Sequence, residues 1–304
     1  MKIIFMGTPD FAVASLAALV NMCEIIGVVT QADRPKGRGQ KMQSPPVKLF
    51  ALEHNLRVIQ PVKIKTPEAV AELEALNPDL IVVAAYGQIL SQKILDIPRL
   101  GCINVHASLL PKYRGAAPIE WSLINGESVT GITTMRMDAG LDTGDILLRR
   151  EVAITEEMIL PELRERLMTV GAELLIETLK QIHRLQPLKQ DDSRATYAPL
   201  LKKDTGLIDW HKSARTLHNL IRGLYGGAFT FAGGDKFKIY RTRLTEENLS
   251  LNAGQLKIHD GRLYVGTGSG VLEILEMQAP NAKKLTAAEY LRGHKIGGNF
   301  WTSE

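Results

Sequence analysis

Only two cysteines, Cys23 and Cys102, occur in 304 residues, and each lies inside an apolar segment. No Cys-x-x-Cys pair and no His-x-x-x-His spacing accompanies them. A disulfide framework and a zinc site are therefore not expected, and both thiols read as small buried hydrophobes. Long apolar runs are also missing: none approaches the roughly 20 residues that span a bilayer. The opening Met1-Lys2-Ile3-Ile4-Phe5-Met6-Gly7 turns at Gly7 and has neither the extended apolar region nor the cleavage site of a secretory leader. A cytoplasmic protein with no membrane partner is expected, which makes the glycosylation-like Asn248-Leu249-Ser250 accidental. Internal repeats and low-complexity tracts are absent as well.

What is present is ordinary for a globular protein, 45% apolar and 23% charged, in a chain long enough for two domains. The net charge of +4 is unevenly spread. Of 37 Lys+Arg, 15 follow residue 199, against 10 of 33 Asp+Glu, so the last third carries +5 and the rest −1. A basic region on a neutral body fits contact with a polyanion, and it equally fits solubility alone.

The first half alternates strand and helix. Lys2–Met6, Glu24–Thr30, Arg57–Gln60, Leu80–Ala85 and Ile103–His106 read as strands, most of them apolar throughout, as parallel strands covered on both faces are. Helical spacing follows the first at Phe11, Leu16, Leu19 and Val20, and again over Val47–Asn55 and Pro67–Leu76. The pattern predicts a doubly wound α/β sheet. In such sheets ligands bind beyond the carboxyl ends of the strands, so Gly7–Asp10, Ala85–Gln88 and His106–Gly115 should share one rim. The first turn, Gly7-Thr8-Pro9-Asp10, lacks the later glycines of a dinucleotide fingerprint, which disfavours a nicotinamide enzyme.

Further on come a helix at Pro118–Asn125, strands at Thr130–Met137 and Ile146–Ile154, and a helix from Pro161 to about His183. The polar stretch Gln186–Tyr197 reads as a linker. Beyond it, a helix at Ser213–Gly223 precedes short alternating runs broken by glycine, which suggest a small β-barrel of the OB type. The expected division is 1–187, a linker at 188–205, and 206–304.

Two stretches stand out chemically. On the strand Ile103–His106, Asn104 and His106 are two residues apart and project from one face. Structural polar bonding explains such a pair as readily as catalysis does. Between the later strands, Asp138-Ala139-Gly140-Leu141-Asp142-Thr143-Gly144-Asp145 is an acidic tight turn that does not fit an EF-hand. A carboxylate held there at the same rim could orient an imidazole.

Asn104-Val105-His106 running into Ser108-Leu109-Leu110-Pro111, with Gly115 closing the loop and Asp142 thirty-six residues after His106, resembles the signature of the folate-dependent formyltransferase family. Other segments resemble the branch that acts on methionyl-tRNA. They are Ile4–Phe11, the loop Gln31–Gly39, and Arg114-Gly115-Ala116-Ala117-Pro118-Ile119.

The resemblance implies a Rossmann-like formyltransferase domain followed by an OB-like barrel. It implies transfer of formyl from 10-formyltetrahydrofolate to methionine on initiator methionyl-tRNA, by a monomer and without a metal. Asn104, His106 and Asp142 are the implied catalytic residues. Folate is implied along Ser108, Leu109, Leu110 and Pro111, with its pterin near Tyr86, Gly87, Gln88, Ile89, Leu90 and Asp138. Arg34, Lys36, Arg38 and Lys41 would form a basic finger on the tRNA acceptor end. Arg222–Ala228 departs from the family's usual turn, which bears on tRNA contacts there. The competing expectations are a formyltransferase for a small amine, such as an amino-sugar nucleotide, and a non-catalytic RNA-binding relative.

Overall fold

In the computed structural model, all residues are described except Gly37, Arg38, Gln40, Asn248, Lys295, Gly297 and Thr302–Glu304. The chain divides into two compact units. The first comprises Met1–Pro118, Val129–Ala153 and Arg164–Ala198. It is built on a seven-stranded sheet. The strands are β1 (Lys2–Gly7), β2 (Glu24–Val29), β3 (Val58–Ile59), β4 (Leu80–Ala84), β5 (Cys102–His106), β6 (Val129–Arg136) and β7 (Ile146–Ala153).

Their order is β7-β6-β5-β4-β1-β2-β3. The pairings from β5 through β4 and β1 to β3 are parallel, whereas β6 and β7 run antiparallel. The apolar sequences of β1 and β4 are explained by burial: Ile3, Ile4, Phe5 and every residue of β4 are enclosed. β5 lies where parallel pairing gives way to antiparallel, and register sets Asn104 opposite Met135 and His106 opposite Thr133. The helix Leu160–Gln181 covers this region through Gly171, where an added Cβ would come within 3.3 Å of Val105. Val105 thus anchors one face of β5, leaving Asn104 and His106 on the other.

The second unit comprises Ile119–Ser128, Ile154–Leu163 and the chain from Pro199 onward. Its strands are β8 (Phe229–Ala232), β9 (Asp235–Leu244), β10 (Leu256–His259), β11 (Arg262–Gly266) and β12 (Val271–Gln278). They form an antiparallel sheet ordered β8-β9-β12-β11-β10, with Leu285–Thr286 added on β12. Curling brings both edges to one segment near the C-terminus. Trp301 bridges to Phe231, Asn299 bridges to Gln255, and Phe300 donates its N–H to the Gly254 carbonyl at 2.8 Å. Trp210, Phe237, Ile239, Leu263, Leu272 and Phe300 fill the interior.

Arg222, in the stretch that departs from the family pattern, is buried. Its guanidinium donates to the carbonyls of Thr155 and Met158 and to Asn219, so it is an internal tie.

Candidate formyl-transfer site

At the carboxyl end of β5, the three residues singled out in the sequence come together. Asn104 Nδ2 donates to Asp142 Oδ1 at 3.3 Å, and His106 Nδ1 lies 3.6 Å from Asp142 Oδ2. That carboxylate oxygen also accepts the Gly115 N–H at 2.8 Å. His106 is 6% exposed, so its ring is shielded on nearly every side.

The tautomer of His106 follows from a backbone carbonyl. His106 Nε2 is 2.9 Å from the backbone carbonyl of Tyr113, which can only accept, so Nε2 carries the proton. At 3.6 Å the Asp142 contact is too long for a hydrogen bond. Asp142 instead faces an open Nδ1, ready to stabilise the imidazolium once that nitrogen is protonated.

Asp142 has φ +53°, a left-handed conformation that costs an ordinary residue about 1–2 kcal/mol. Its surroundings hold it there. Gly144 lies so tightly against β6 that an added Cβ would meet the Arg136 carbonyl. Gln190, 6% exposed, donates to the carbonyls of Asp142 (2.8 Å) and Gly144 (2.7 Å). Its own oxygen accepts from Arg114 Nη2 at 2.7 Å, and Arg114 continues to Asp192, also at 2.7 Å.

Arg114–Gly115 pairs in parallel with Tyr197–Ala198. The stretch read as a linker from residue 188 is therefore knitted into the first unit as far as Ala198. Sequence reasoning missed Gln190 because a buried amide satisfied by distant backbone leaves no periodicity.

The residues implied for folate are spread over two environments. Ser108 is buried and donates to the Lys112 carbonyl at 2.6 Å, while Leu110 is enclosed with Met135 and Ile146. Tyr86 and Leu90 belong to the core of the first unit. Burial pushes the Tyr86 phenol up to about 12, and its hydroxyl has no partner among the described residues. The side chains of Ser108, Leu110, Tyr86 and Leu90 are thus buried within the fold.

Leu109 and Pro111 are half-buried. Gln88 is tied to the Ile64 N–H at 2.9 Å, Gly87 is exposed, and Ile89 is 65% exposed. Asp138 is exposed and caps its own turn, accepting from Gly140 N–H and the Thr143 hydroxyl.

A second cluster at the rim joins the loops after β1 and β4: Thr8 Oγ1 donates to the Tyr86 carbonyl at 2.8 Å, as does Gln31 Nε2 at 3.2 Å. Arg34 donates to Gln31 Oε1, which ties the root of the basic finger to this cluster. That root is a two-stranded ribbon, Arg34–Lys36 against Lys41–Gln43. Asp33 anchors it by accepting from Ser44, Lys48 and Gln60, and the Gln60 bond, followed by Lys48 and Ser44, holds its carboxyl at about 2. Arg38 lies outside the described residues, as do the side chains of Lys36 and Lys41.

No helix among the described residues is long and apolar enough to cross a membrane, and no group of His, Cys, Asp and Glu there could hold a metal ion.

The fold and this constellation define a class, and comparison with known proteins agrees. Residues 1–179 match the family described as formyl transferase, and residues 200–295 match its C-terminal domain. The chain belongs to the formyl transferase family. Methionyl-tRNA formyltransferase of Acetivibrio thermocellus is 53% identical, over 98% of this chain and 98% of its own. That of Ruminiclostridium cellulolyticum is 50% identical over 97% of each.

Among solved structures, an N-formyltransferase from Helicobacter canadensis in complex with folinic acid and dTDP-3-aminofucose superposes with a TM-score of 0.68. It is 20% identical and covers 94% of this chain and 100% of its own. HypX from Aquifex aeolicus with tetrahydrofolic acid has a TM-score of 0.63 at 18% identity, over 96% of this chain and 47% of its own. At those identities the likeness is one of fold.

Proposed function

We propose that this formyl transferase moves the formyl group of 10-formyltetrahydrofolate onto the amino group of methionine carried by initiator methionyl-tRNA. The observation that carries the substrate is the extent of the likeness. Relatives named for methionyl-tRNA are half identical across both units, whereas a formyltransferase bound to an amino-sugar nucleotide agrees at 20%. Neighbours solved with folinic acid and tetrahydrofolic acid support a folate donor.

The side chains fit the chemistry. The amine nitrogen bonds to the formyl carbon, and the formyl oxygen gathers negative charge. Asn104 spends one N–H on Asp142, and its second N–H can stabilise that oxyanion. His106 takes the proton leaving the amine at Nδ1, and the resulting imidazolium faces the Asp142 carboxylate. As the oxyanion collapses, the bond from carbon to N10 breaks and the proton held on His106 passes to N10, which leaves formylmethionyl-tRNA and tetrahydrofolate. The basic ribbon at Arg34–Gln43 and the basic last third suit a polyanionic substrate.

The test is formyl transfer from 10-formyltetrahydrofolate to charged initiator tRNA, charged elongator tRNA and a dTDP-amino sugar. Transfer to the initiator alone is expected. Preferential transfer to the sugar nucleotide would contradict the reading.

A further inference from the structure

Gln190 has every hydrogen-bonding capacity of its amide engaged while being nearly fully buried. Both N–H bonds point at carbonyls of the acidic turn, Asp142 and Gly144, and its oxygen takes Nε and Nη2 of Arg114. Arg114 is 3% exposed and is followed by Gly115, whose N–H binds the Asp142 carboxylate. Gln190 therefore reaches Asp142 by two routes, directly at its backbone carbonyl and through Arg114–Gly115 at its side chain.

We propose that Gln190 is a positioning residue for formyl transfer, fixing the left-handed backbone of Asp142 so that its carboxylate meets Asn104 and His106 together. This rests on the function proposed above. The choice of side chain follows from the geometry. Glutamate in its place would keep the bond to Arg114 but set an oxygen against two carbonyls, and asparagine is one methylene too short to span both sets of partners.

The experiment compares wild type, Gln190→Ala, Gln190→Glu, Asp142→Ala and the Gln190→Ala/Asp142→Ala double variant in single-turnover formylation of initiator methionyl-tRNA. KM for each substrate and circular-dichroism melts are measured alongside. Misplacement of a reacting group by about 1 Å costs about 10²-fold, so both Gln190 variants are expected to lose kcat on that scale. KM for both substrates should stay within about threefold of wild type.

Because Gln190 acts through Asp142, the double variant is expected to be no slower than Asp142→Ala alone. Multiplied losses in the double variant overturn the proposal, as does a kcat within about threefold of wild type in both single variants. Loss of the folded state in both single variants overturns it too, since Gln190 is then part of the framework. Wild type that transfers no formyl to tRNA refutes the functional reading instead, before any variant is compared.

Discussion

At the scale of single residues, the proposed reaction divides its work among three side chains that two segments bring together. Asn104 and His106 owe their common face to two-residue spacing on β5, which is directly legible in the sequence. Asp142 reaches them from a turn thirty-six positions beyond His106, and family likeness rather than spacing identifies it. The role proposed for it is electrostatic, since the Tyr113 carbonyl already fixes the His106 tautomer.

Replacing Asp142 by Asn removes the charge opposite Nδ1 and sets an amide N–H among the donors Asn104 and Gly115. General-base assistance is worth about 10²–10⁴-fold, so kcat is expected to fall by at least 10². A kcat within about threefold of wild type would assign the proton transfer to another group.

At the scale of elements, strands and helices were legible because burial demands apolar residues at fixed spacing. β1 and β4 are enclosed, and their sequences show it. Segments held by hydrogen bonds leave no such trace. Thus Tyr197–Ala198 pairs with Arg114–Gly115, although its sequence reads as a linker.

Gly115 makes that pairing possible. At φ +121° it has room for no side chain, since a Cβ would approach the Ala198 carbonyl to 2.8 Å. Gly115→Ala is expected to destabilise the protein by about 1–3 kcal/mol in denaturant titration and to lower kcat by displacing the N–H on Asp142. Wild-type stability and turnover would show that the strand tolerates the change.

The basic ribbon depends on Asp33, which gathers Ser44, Lys48 and Gln60. Asp33→Ala is expected to raise KM for tRNA while leaving the folate KM unaltered. Since bonding holds its carboxyl at about 2, the ionised anchor persists well below the usual carboxylate range and is lost only as pH falls through that value. A parallel rise in both KM values would point to general unfolding.

At the scale of the molecule, each unit has its own core and could be anticipated from the change in sequence pattern near residue 200. Contributions of Ile119–Ser128 and Ile154–Leu163 to the second unit could not, because they are short insertions whose partners lie far along the chain. One such contact involves His218, buried with Nε2 on the Glu156 carbonyl and Nδ1 on Thr242. Burial lowers its pKa from the ordinary 6.5. Below that ordinary value the unfolded chain binds a proton that native His218 does not. Its stabilisation is therefore complete above about pH 6.5 and is lost as pH falls toward the lowered value. The melting temperature of the second unit is expected to decline through this range in wild type and less so in His218→Gln; equal slopes would exclude His218 as the cause.

In the proposed reaction the oxyanion falls to Asn104, one amide held by one strand and bonded to Asp142. Single-turnover formylation of initiator methionyl-tRNA by Asn104→Ala, with folate affinity measured in parallel, tests this most directly. Loss of one oxyanion donor typically costs 10²–10³-fold, so turnover is expected to fall by about that factor with folate binding retained. Near-normal turnover with the same folate affinity would contradict the assignment of formyl transfer to this site.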